Sequence, residues 1–583
     1  MNNTIKRIWQ LLTPIERRHA LLLTVLMLLV GIAEVTGLVS VVPLVAVLTS
    51  TTDPCARLGD AAGAACNRLF PTRDPYVLGG LAFGLIAISN LLAFVVTWLS
   101  ARLSWSVWRR ISAAIFGTYL EKPYEFFFNV HSSVVVKNVV AETERFANQV
   151  FLPALILIAR IIVTLIVVLL VVAVDPTVSL GIIAILALLY VAVYRQLQGR
   201  VRSSSEVAFG ARERITGIAT ETVAGVRELR MLGCEEYFSD RLRQSTQTLA
   251  REYVYANVVS VMPRYLIETA AFALILGVAV YLTHKLGGWQ TAAPLLAFYV
   301  FCAYRLLPQF QQIYFNAMMV LQNARVVEAL AALLAAAAEH QPARPVEATT
   351  DLRPPVRLSH VTYRYPGTRE VVLEDASMEI PLRATVGLVG ATGSGKSTII
   401  DLIAGLLLPQ KGMIELDGTP LTATRAPQWR TRIGYVPQVP YLLDDTIRRN
   451  IAFGLADAQI SQQGVERAAR LADIHGFIAG LPQGYDTVVG ERGVRLSGGQ
   501  RQRLVIARAL YRDPEVLIFD EATSALDQET EQAVMEAIRT LSHQKTLLII
   551  SHRPATLAGC DLVYEVADGR ISARESAGLR TSA

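Results

Sequence analysis

Residues 390–398 read G-A-T-G-S-G-K-S-T, residues 496–500 read L-S-G-G-Q, and residues 516–521 read V-L-I-F-D-E. In the first stretch Gly390, Gly393 and Gly395 let the backbone curl so that successive N–H groups converge on phosphate oxygens. Ala391, Thr392, Ser394 and Thr398 complete that wrap, and the helix that follows adds the positive end of its dipole. Lys396 brings a cation to the same oxygens. The hydroxyl of Ser397 and the carboxylate of Asp520, at the end of the all-apolar strand Val516–Phe519, are suited to Mg²⁺. Glu521, next to Asp520, is the candidate general base for water attacking the γ-phosphate of ATP. The order of these segments predicts an ATP and Mg²⁺ site in a P-loop α/β domain.

Working outward, the chain has 583 residues, of which 52% are hydrophobic and only 18% charged. That balance exceeds what a soluble protein of this size carries, so a membrane must take up the excess. The excess is confined to the N-terminal part. The reading is therefore an all-α transmembrane domain over 1–340, a linker over 341–355, and a soluble α/β ATPase domain over 356–583. Six apolar stretches read as long enough to span a bilayer core, which needs about 20 helical residues each: Ala20–Leu48, Val77–Leu99, Val150–Val174, Val178–Tyr194, Leu266–Thr283 and Ala292–Leu321. Loops on the N-terminal side hold twenty Lys and Arg, and those on the other side four, namely Arg57, Arg68, Arg73 and Lys285. The positive-inside rule then predicts cytoplasmic N- and C-termini in a multi-pass inner-membrane protein. The first apolar run is too long and too polar at its centre for a cleaved signal, and reads as a retained span.

The net charge of +6 sits mostly in the two long inner loops, where topology accounts for it, so no nucleic-acid partner is expected. Of the five cysteines only Cys55 and Cys66 fall on the outer side. A disulfide there competes with a short external helix, suggested by Leu58, Ala61, Ala62, Ala65 and Leu69 despite Gly59 and Gly63. Such a helix would hold the two about 16 Å apart, beyond a bridge's reach.

With these motifs in this order, the chain resembles the half-transporters of the ABC exporter family over its whole length. The resemblance implies further roles. Tyr365, in Y-R-Y-P, matches the aromatic that stacks on adenine, and Gln438, in G-Y-V-P-Q, the glutamine that senses Mg²⁺ and the γ-phosphate. Glu491-Arg492-Gly493 matches a loop contacting the opposite membrane half, Ser524 to Asp527 the loop crossing the dimer interface, and His552 a γ-phosphate ligand. Leu496, Ser497, Gly498, Gly499 and Gln500 match the signature that caps ATP bound to a partner, which implies a homodimer with two composite sites. The long loops should be helical extensions with coupling helices near Pro123–His131 and Ile215–Val226.

Charges inside the spans bear on what is moved, because intramembrane ionisable groups are costly and mark a pathway or a pair. Glu34, Arg160 and Arg305 share one depth, about 20–25 Å below the outer surface. Glu34 pairs with one of the two arginines, leaving a cationic surplus that suits a phosphate or pyrophosphate head group. Arg264 either adds to it or pairs with Glu268, one turn on. G-I-A-E-V-T-G-L-V-S-V-V-P in the first span and Y-R-L-L-P-Q-F in the sixth resemble the bacterial flippases of polyprenyl-pyrophosphate-linked oligosaccharides. That resemblance implies membrane lipids and an anionic lipid-linked substrate as partners, with glycan assembly as the setting. The alternatives are a lipid, lipid A or multidrug exporter, then a peptide exporter. A regulatory ATP-gated protein would more readily have lost Glu521 or His552.

Overall fold

The structure, a computed structural model, describes residues 2–48, 74–174, 176–285, 288–339, 352–522, 536, 540–551 and 553–574. Cys55 and Cys66 with the external segment around them, Ser524 to Asp527, and His552 lie outside the described residues. The chain divides into two compact units, Met1–Lys122 with Val130–Gln341, and Pro123–Asn129 with Pro342–Ala583.

The first unit is helical. α1 (Asn2–Leu11) is followed by α2 (Pro14–Leu48), α3 (Pro75–Glu121), α4 (Leu152–Val174), α5 (Pro176–Ala224), α6 (Val226–Leu232), α7 (Glu235–Lys285), α8 (Trp289–Gln322) and α9 (Ala324–Glu339). Each of the six expected spans falls in a helix. Among the described residues four helices are long and apolar enough to cross a membrane, and five if α8 and α9, bent by 49°, form one span. The apolar part of α5, Ser179–Val193, is shorter. In lipid every backbone N–H and C=O must be satisfied within the segment, which favours unbroken helices of this kind. α3 opens on Asp74, whose side chain accepts from the Tyr76 N–H at 2.9 Å, with Pro75 in the first turn. The stretch before α4 contains two wide π-type segments, Lys137–Glu142 and Phe146–Phe151.

The expected second coupling stretch, Ile215–Val226, is corrected. α5 continues through Ala224, and the short intervening helix is α6, ending at Gly233 with φ 64°. That left-handed turn needs glycine, and nothing before Gly225 breaks the helix.

The second unit holds two sheets. One is four-stranded and antiparallel, in the order β2 (Leu373–Ile380), β1 (Val356–Tyr363), β4 (Lys411–Leu416), β5 (Thr419–Pro420). The other has the order β10 (Arg570–Arg574), β9 (Leu562–Ala567), β3 (Thr385–Gly390), β8 (Thr546–Ile550), β7 (Val516–Asp520), β6 (Ile433–Val436). All its neighbours are parallel except β10 against β9. Five consecutive residues are buried in each of β3 and β8 and four in β7, the pattern of parallel strands covered on both faces.

The helical unit is fastened near its N-terminus by a two-pronged ion pair. Arg110 on α3 donates from Nε and Nη2 to the two carboxylate oxygens of Glu16 on α2, both at 2.8 Å, and from Nη2 to the Leu11 carbonyl of α1 at 2.7 Å. Arg110→Ala should leave the buried Glu16 carboxylate uncompensated. It should lower stability by about 2 kcal/mol, less than the roughly 3–5 of a fully enclosed pair because the arginine is partly exposed. Thermal unfolding in detergent measures this, and Arg110→Lys should recover only part of the loss because it cannot bridge both oxygens.

Candidate functional site

The site lies at the carboxyl ends of β3 and β7, where an open parallel sheet leaves a crevice. At the tip of β3 the chain turns through 390–395 into α10 (Lys396–Ile403). Gly390 cannot be replaced without strain, since a Cβ there would lie 2.3 Å from the Val566 carbonyl oxygen on β9. The Lys396 ammonium curls back to donate to the carbonyls of Gly390 at 2.7 Å and Ala391 at 2.8 Å. The hydroxyl of Ser394 is buried in the loop with no hydrogen-bond partner among the described residues. Ser397 is exposed at the first turn of α10, and Gly393 opens the loop with φ 83°.

Asp520 closes β7, and Glu521 follows with φ 46°. A non-glycine residue in that region is strained, and such strain gathers at functional sites. The Glu521 amide donates to the Ile550 carbonyl at 3.1 Å, which ties the turn to β8. Gln438 donates from Nε2 to Glu521 Oε2 at 2.7 Å, so the expected sensor and the expected base are in contact. The Tyr435 hydroxyl donates to Asp520 Oδ2 at 3.2 Å. Burial raises the Asp520 carboxyl above its ordinary range, and the charge of Glu521 adds to that, while the Tyr435 hydrogen bond and the nearby Lys396 oppose it. A hydroxyl, one carboxylate and an amide are hard donors of the kind that hold Mg²⁺ together with phosphate oxygens. Among the described residues no group of three or more His, Cys, Asp or Glu could hold a metal alone.

The signature segment begins α11 (Gly498–Tyr511). Ser497 Oγ accepts from the Gln500 N–H at 3.2 Å and Gln500 Oε1 from the Ser497 N–H at 2.9 Å, a reciprocal cap. Gln500 is thereby engaged in the cap and Leu496 is buried, while Ser497, Gly498 and Gly499 present the helix start. Glu491 to Gly493 form a single exposed-sided turn, with Arg492 at φ 53°.

Tyr365 shares a hydrogen bond with the Thr398 hydroxyl at 3.0 Å, which holds it beside the phosphate loop. Its ring meets Phe128 edge-on, with centroids 5.2 Å apart. Tyr363, two residues earlier, donates to Glu125 Oε1 at 2.9 Å.

Sequence reasoning missed three residues. Gln502, buried on α11, donates to the Pro437 carbonyl at 3.2 Å and so positions Gln438. Tyr435 is the hydroxyl on Asp520. Asp401, on the face of α10 four residues beyond Ser397, has its carboxyl pushed up to about 6 by burial and by Asp520. The helical period was the available signal for Asp401; the other two contacts join segments 65 and 85 residues apart.

In the helical unit Arg305 pairs with Glu34 at 2.9 Å, with the carboxylate almost fully buried. Arg160 instead donates from Nη1 to the Gln309 amide oxygen at 3.2 Å, and its buried Nε has no hydrogen-bond partner among the described residues. Glu34, Arg160 and Gln312 line one cavity of about 140 Å³. Arg264 pairs with Glu268 at 3.7 Å and lines a neighbouring cavity that shares Gln312, so of its two expected roles the pair is the one observed.

The ABC transporter transmembrane region model matches residues 20–308, and the ABC transporter model matches 373–524. An ATP-dependent lipid A-core flippase of Photobacterium profundum is 30% identical over 87% of this chain and 86% of its own length. Proteins of the same name from Alkalilimnicola ehrlichii and Sodalis glossinidius are 34% and 47% identical. Those alignments cover 61% and 38% of this chain, and 60% and 38% of the relatives' lengths. A solved structure described as a bacterial Atm1-family ABC exporter with ATP bound has a TM-score of 0.75 at 24% identity, covering 97% of this chain and 98% of that one. It shows the fold: an exporter-type transmembrane region fused to an ATPase domain.

Because burial favours the protonated form of Asp401, the folded state binds that proton more tightly than the unfolded chain does. Stability is therefore surrendered as pH rises from about 4 through 6. Asp401→Asn should match wild type near pH 4 and gain on it across that window, by about 1–2 kcal/mol after allowing for partial exposure. Thermal unfolding of the full chain without nucleotide or metal, from pH 4.5 to 8, should show the difference widening and then levelling.

Proposed function

The chain belongs to the ABC transporter superfamily, and we propose that two copies form an ATP-driven exporter of an amphipathic lipid with an anionic head group. The ATPase half of this reading is supported by the meeting of Gln438, Glu521 and Asp520 at the tip of β7, on the same edge of the sheet as the phosphate loop. Bound ATP with Mg²⁺ supplies the phosphoanhydride and neutralises the charge that develops on it. The loop amides of 390–398 and Lys396 hold the β- and γ-phosphates, and Ser397 with Asp520 would hold the ion. Glu521, steered by the Gln438 amide, accepts the proton of the attacking water. Ser497, Gly498 and Gly499 close the site of a second copy. The loop charges support an orientation with both termini in the cytoplasm, and the bacterial flippase relatives support an inner-membrane setting.

The single observation that carries the substrate class is Arg160. Glu34 is paired with Arg305 and its charge also reaches Arg160, so among the described residues around it two guanidiniums share one carboxylate, and Arg160 has only an amide as hydrogen-bond partner. A planar fork of donors matches phosphate, whereas a neutral hydrophobic drug gives it no partner. The lipid A-core flippase names of the relatives support putting lipid A-like glycolipids first. The amides of Gln309 and Gln312 beside Arg160 also suit hydroxyls on the same head, which keeps a polyprenyl-pyrophosphate oligosaccharide as the second reading. The two differ in their tails.

Reconstituted in liposomes, wild type should move one of these two lipids in an ATP-dependent way. Glu521→Gln should cut hydrolysis and transport together by about 10²-fold or more. Arg160→Ala should keep hydrolysis and lower transport about tenfold or more. Hydrolysis by wild type with movement of neither lipid would overturn the substrate reading and leave the engine standing.

A further inference from the structure

The Asp520 carboxylate stands in negative company. Glu521 follows it in sequence and acts on it by its charge, and Asp401 on α10 is near enough for the two carboxylates to feel one another. Repulsion from two sides would turn an unrestrained carboxylate away from both. Mg²⁺ accepts little departure from octahedral geometry, so an ion shared with Ser397 needs the oxygens of Asp520 in one place.

The register of the sheet supplies the restraint. β6 and β7 are parallel, with Tyr435 opposite Ile518 and Val436 opposite Phe519. Side chains alternate along a strand, so Tyr435, Ile518 and Asp520 face one side, and a long aromatic reaches its diagonal neighbour two residues on. The Tyr435 hydroxyl meets Asp520 Oδ2 at 3.2 Å. An ionised carboxylate can only accept, so the phenol is the donor. Among the described residues no other hydrogen bond reaches that carboxylate. On the opposite face β6 is packed tightly, since a Cβ at Gly434 would lie 2.7 Å from the Ala509 carbonyl oxygen. The same short segment also addresses the base: Gln438 donates to Glu521 Oε2 at 2.7 Å, and Gln502 holds the intervening Pro437 carbonyl at 3.2 Å. The stretch Y-V-P-Q at 435–438 therefore touches both carboxylates, each through a different side chain.

We propose that Tyr435 is a positioning residue for the metal site, fixing the Asp520 carboxylate through Oδ2 and leaving Oδ1 for the ion. The proposal rests on the ATPase half of the reading above and deepens it, because it gives the ion site a support outside the phosphate loop and the two strand-end carboxylates. A donor on a ligating carboxylate sets its orientation, and removing such a donor typically costs about 10–100-fold in metal affinity. The role is specific to the ion. Nucleotide bound without metal is held by the loop amides and Lys396, and does not draw on the Tyr435 hydroxyl.

The test uses the full-length protein in nanodiscs with Mn²⁺ as the probe, because it suits the same oxygen ligands as Mg²⁺ and its free form is counted by electron paramagnetic resonance. With a saturating non-hydrolysable ATP analogue present, Tyr435→Phe should raise the Kd for Mn²⁺ about tenfold or more, while binding of the analogue in EDTA stays within about twofold of wild type. In hydrolysis assays the Mg²⁺ concentration giving half the maximal rate should rise by a similar factor, and the rate at saturating Mg²⁺ should return to within about threefold of wild type. Replacing Tyr435 by 4-aminophenylalanine restores an N–H donor at the same ring position and should bring Mn²⁺ affinity back to within about threefold, whereas O-methyltyrosine, which keeps the oxygen without its hydrogen, should not. An unchanged Mn²⁺ affinity in Tyr435→Phe would overturn the proposal. So would equal losses in the phenylalanine and 4-aminophenylalanine forms, which assign the effect to the ring, or a loss of analogue binding in EDTA, which assigns it to the fold. A wild type that takes up no Mn²⁺ with the analogue would overturn the placing of the ion at Ser397 and Asp520, and this proposal with it.

Discussion

The nucleotide site depends on strands with no polar side chain to spare. In β3, β7 and β8 nearly every residue is sealed on both faces, so the first positions at which the chain can offer a polar group are the strand ends. The phosphate loop starts at one such end and the Asp520 and Glu521 carboxylates at another. Parallel pairing of β3 to β8 and of β8 to β7 brings both ends to the same edge. The left-handed Glu521 backbone is held by its amide on Ile550, so the apolar core supports the strain that aims the carboxylate. Core packing and catalytic geometry are here one arrangement seen from two ends.

The helical unit faces the opposite problem, since its core is continuous with lipid and each charge inside it needs a reason. Glu34 and Arg305 settle theirs by pairing at 2.9 Å. Arg160 only shares the field of that same carboxylate and hydrogen-bonds a neutral amide, so two arginines stand against one acid. On the proposed reading, the surplus positive charge is what would separate a lipid with an anionic head from a general hydrophobic substrate.

Much of this was legible in the sequence because the relevant signals are local. A glycine-rich loop, a buried strand ending in two carboxylates, and runs of about twenty apolar residues each declare themselves within one window. The break expected near Pro123–His131 was legible for the same reason, since Pro123 follows the end of α3 and the turn at Tyr124–Phe128 comes at once. The second was displaced because its helix runs on to the first breaker, Gly225. Contacts joining distant segments were not readable. Nothing near Arg160 in sequence points to Gln309, 149 residues away, and nothing near Pro437 points to Gln502. Glu34 could be matched to an arginine by charge alone, but choosing between two at one depth required side-chain positions.

The segment Pro123–Asn129 departs from the division of the chain by sequence. By sequence it interrupts the helical part, yet it is compact with the ATPase unit. Its attachment is specific: the Glu125 carboxylate receives the buried Tyr363 hydroxyl, and Phe128 sets its ring against Tyr365. Tyr365 is also hydrogen-bonded to Thr398, one residue beyond the expected Mg²⁺ ligand Ser397. A base stacked on Tyr365 must therefore share that ring's surroundings with Phe128, and a phosphate-loop movement reaches the same ring through Thr398. Since an edge-on aromatic contact is directional, a shift in Tyr365 cannot leave Phe128 indifferent. The chain connecting the transmembrane helices thus rests on the one aromatic that the nucleotide is expected to touch.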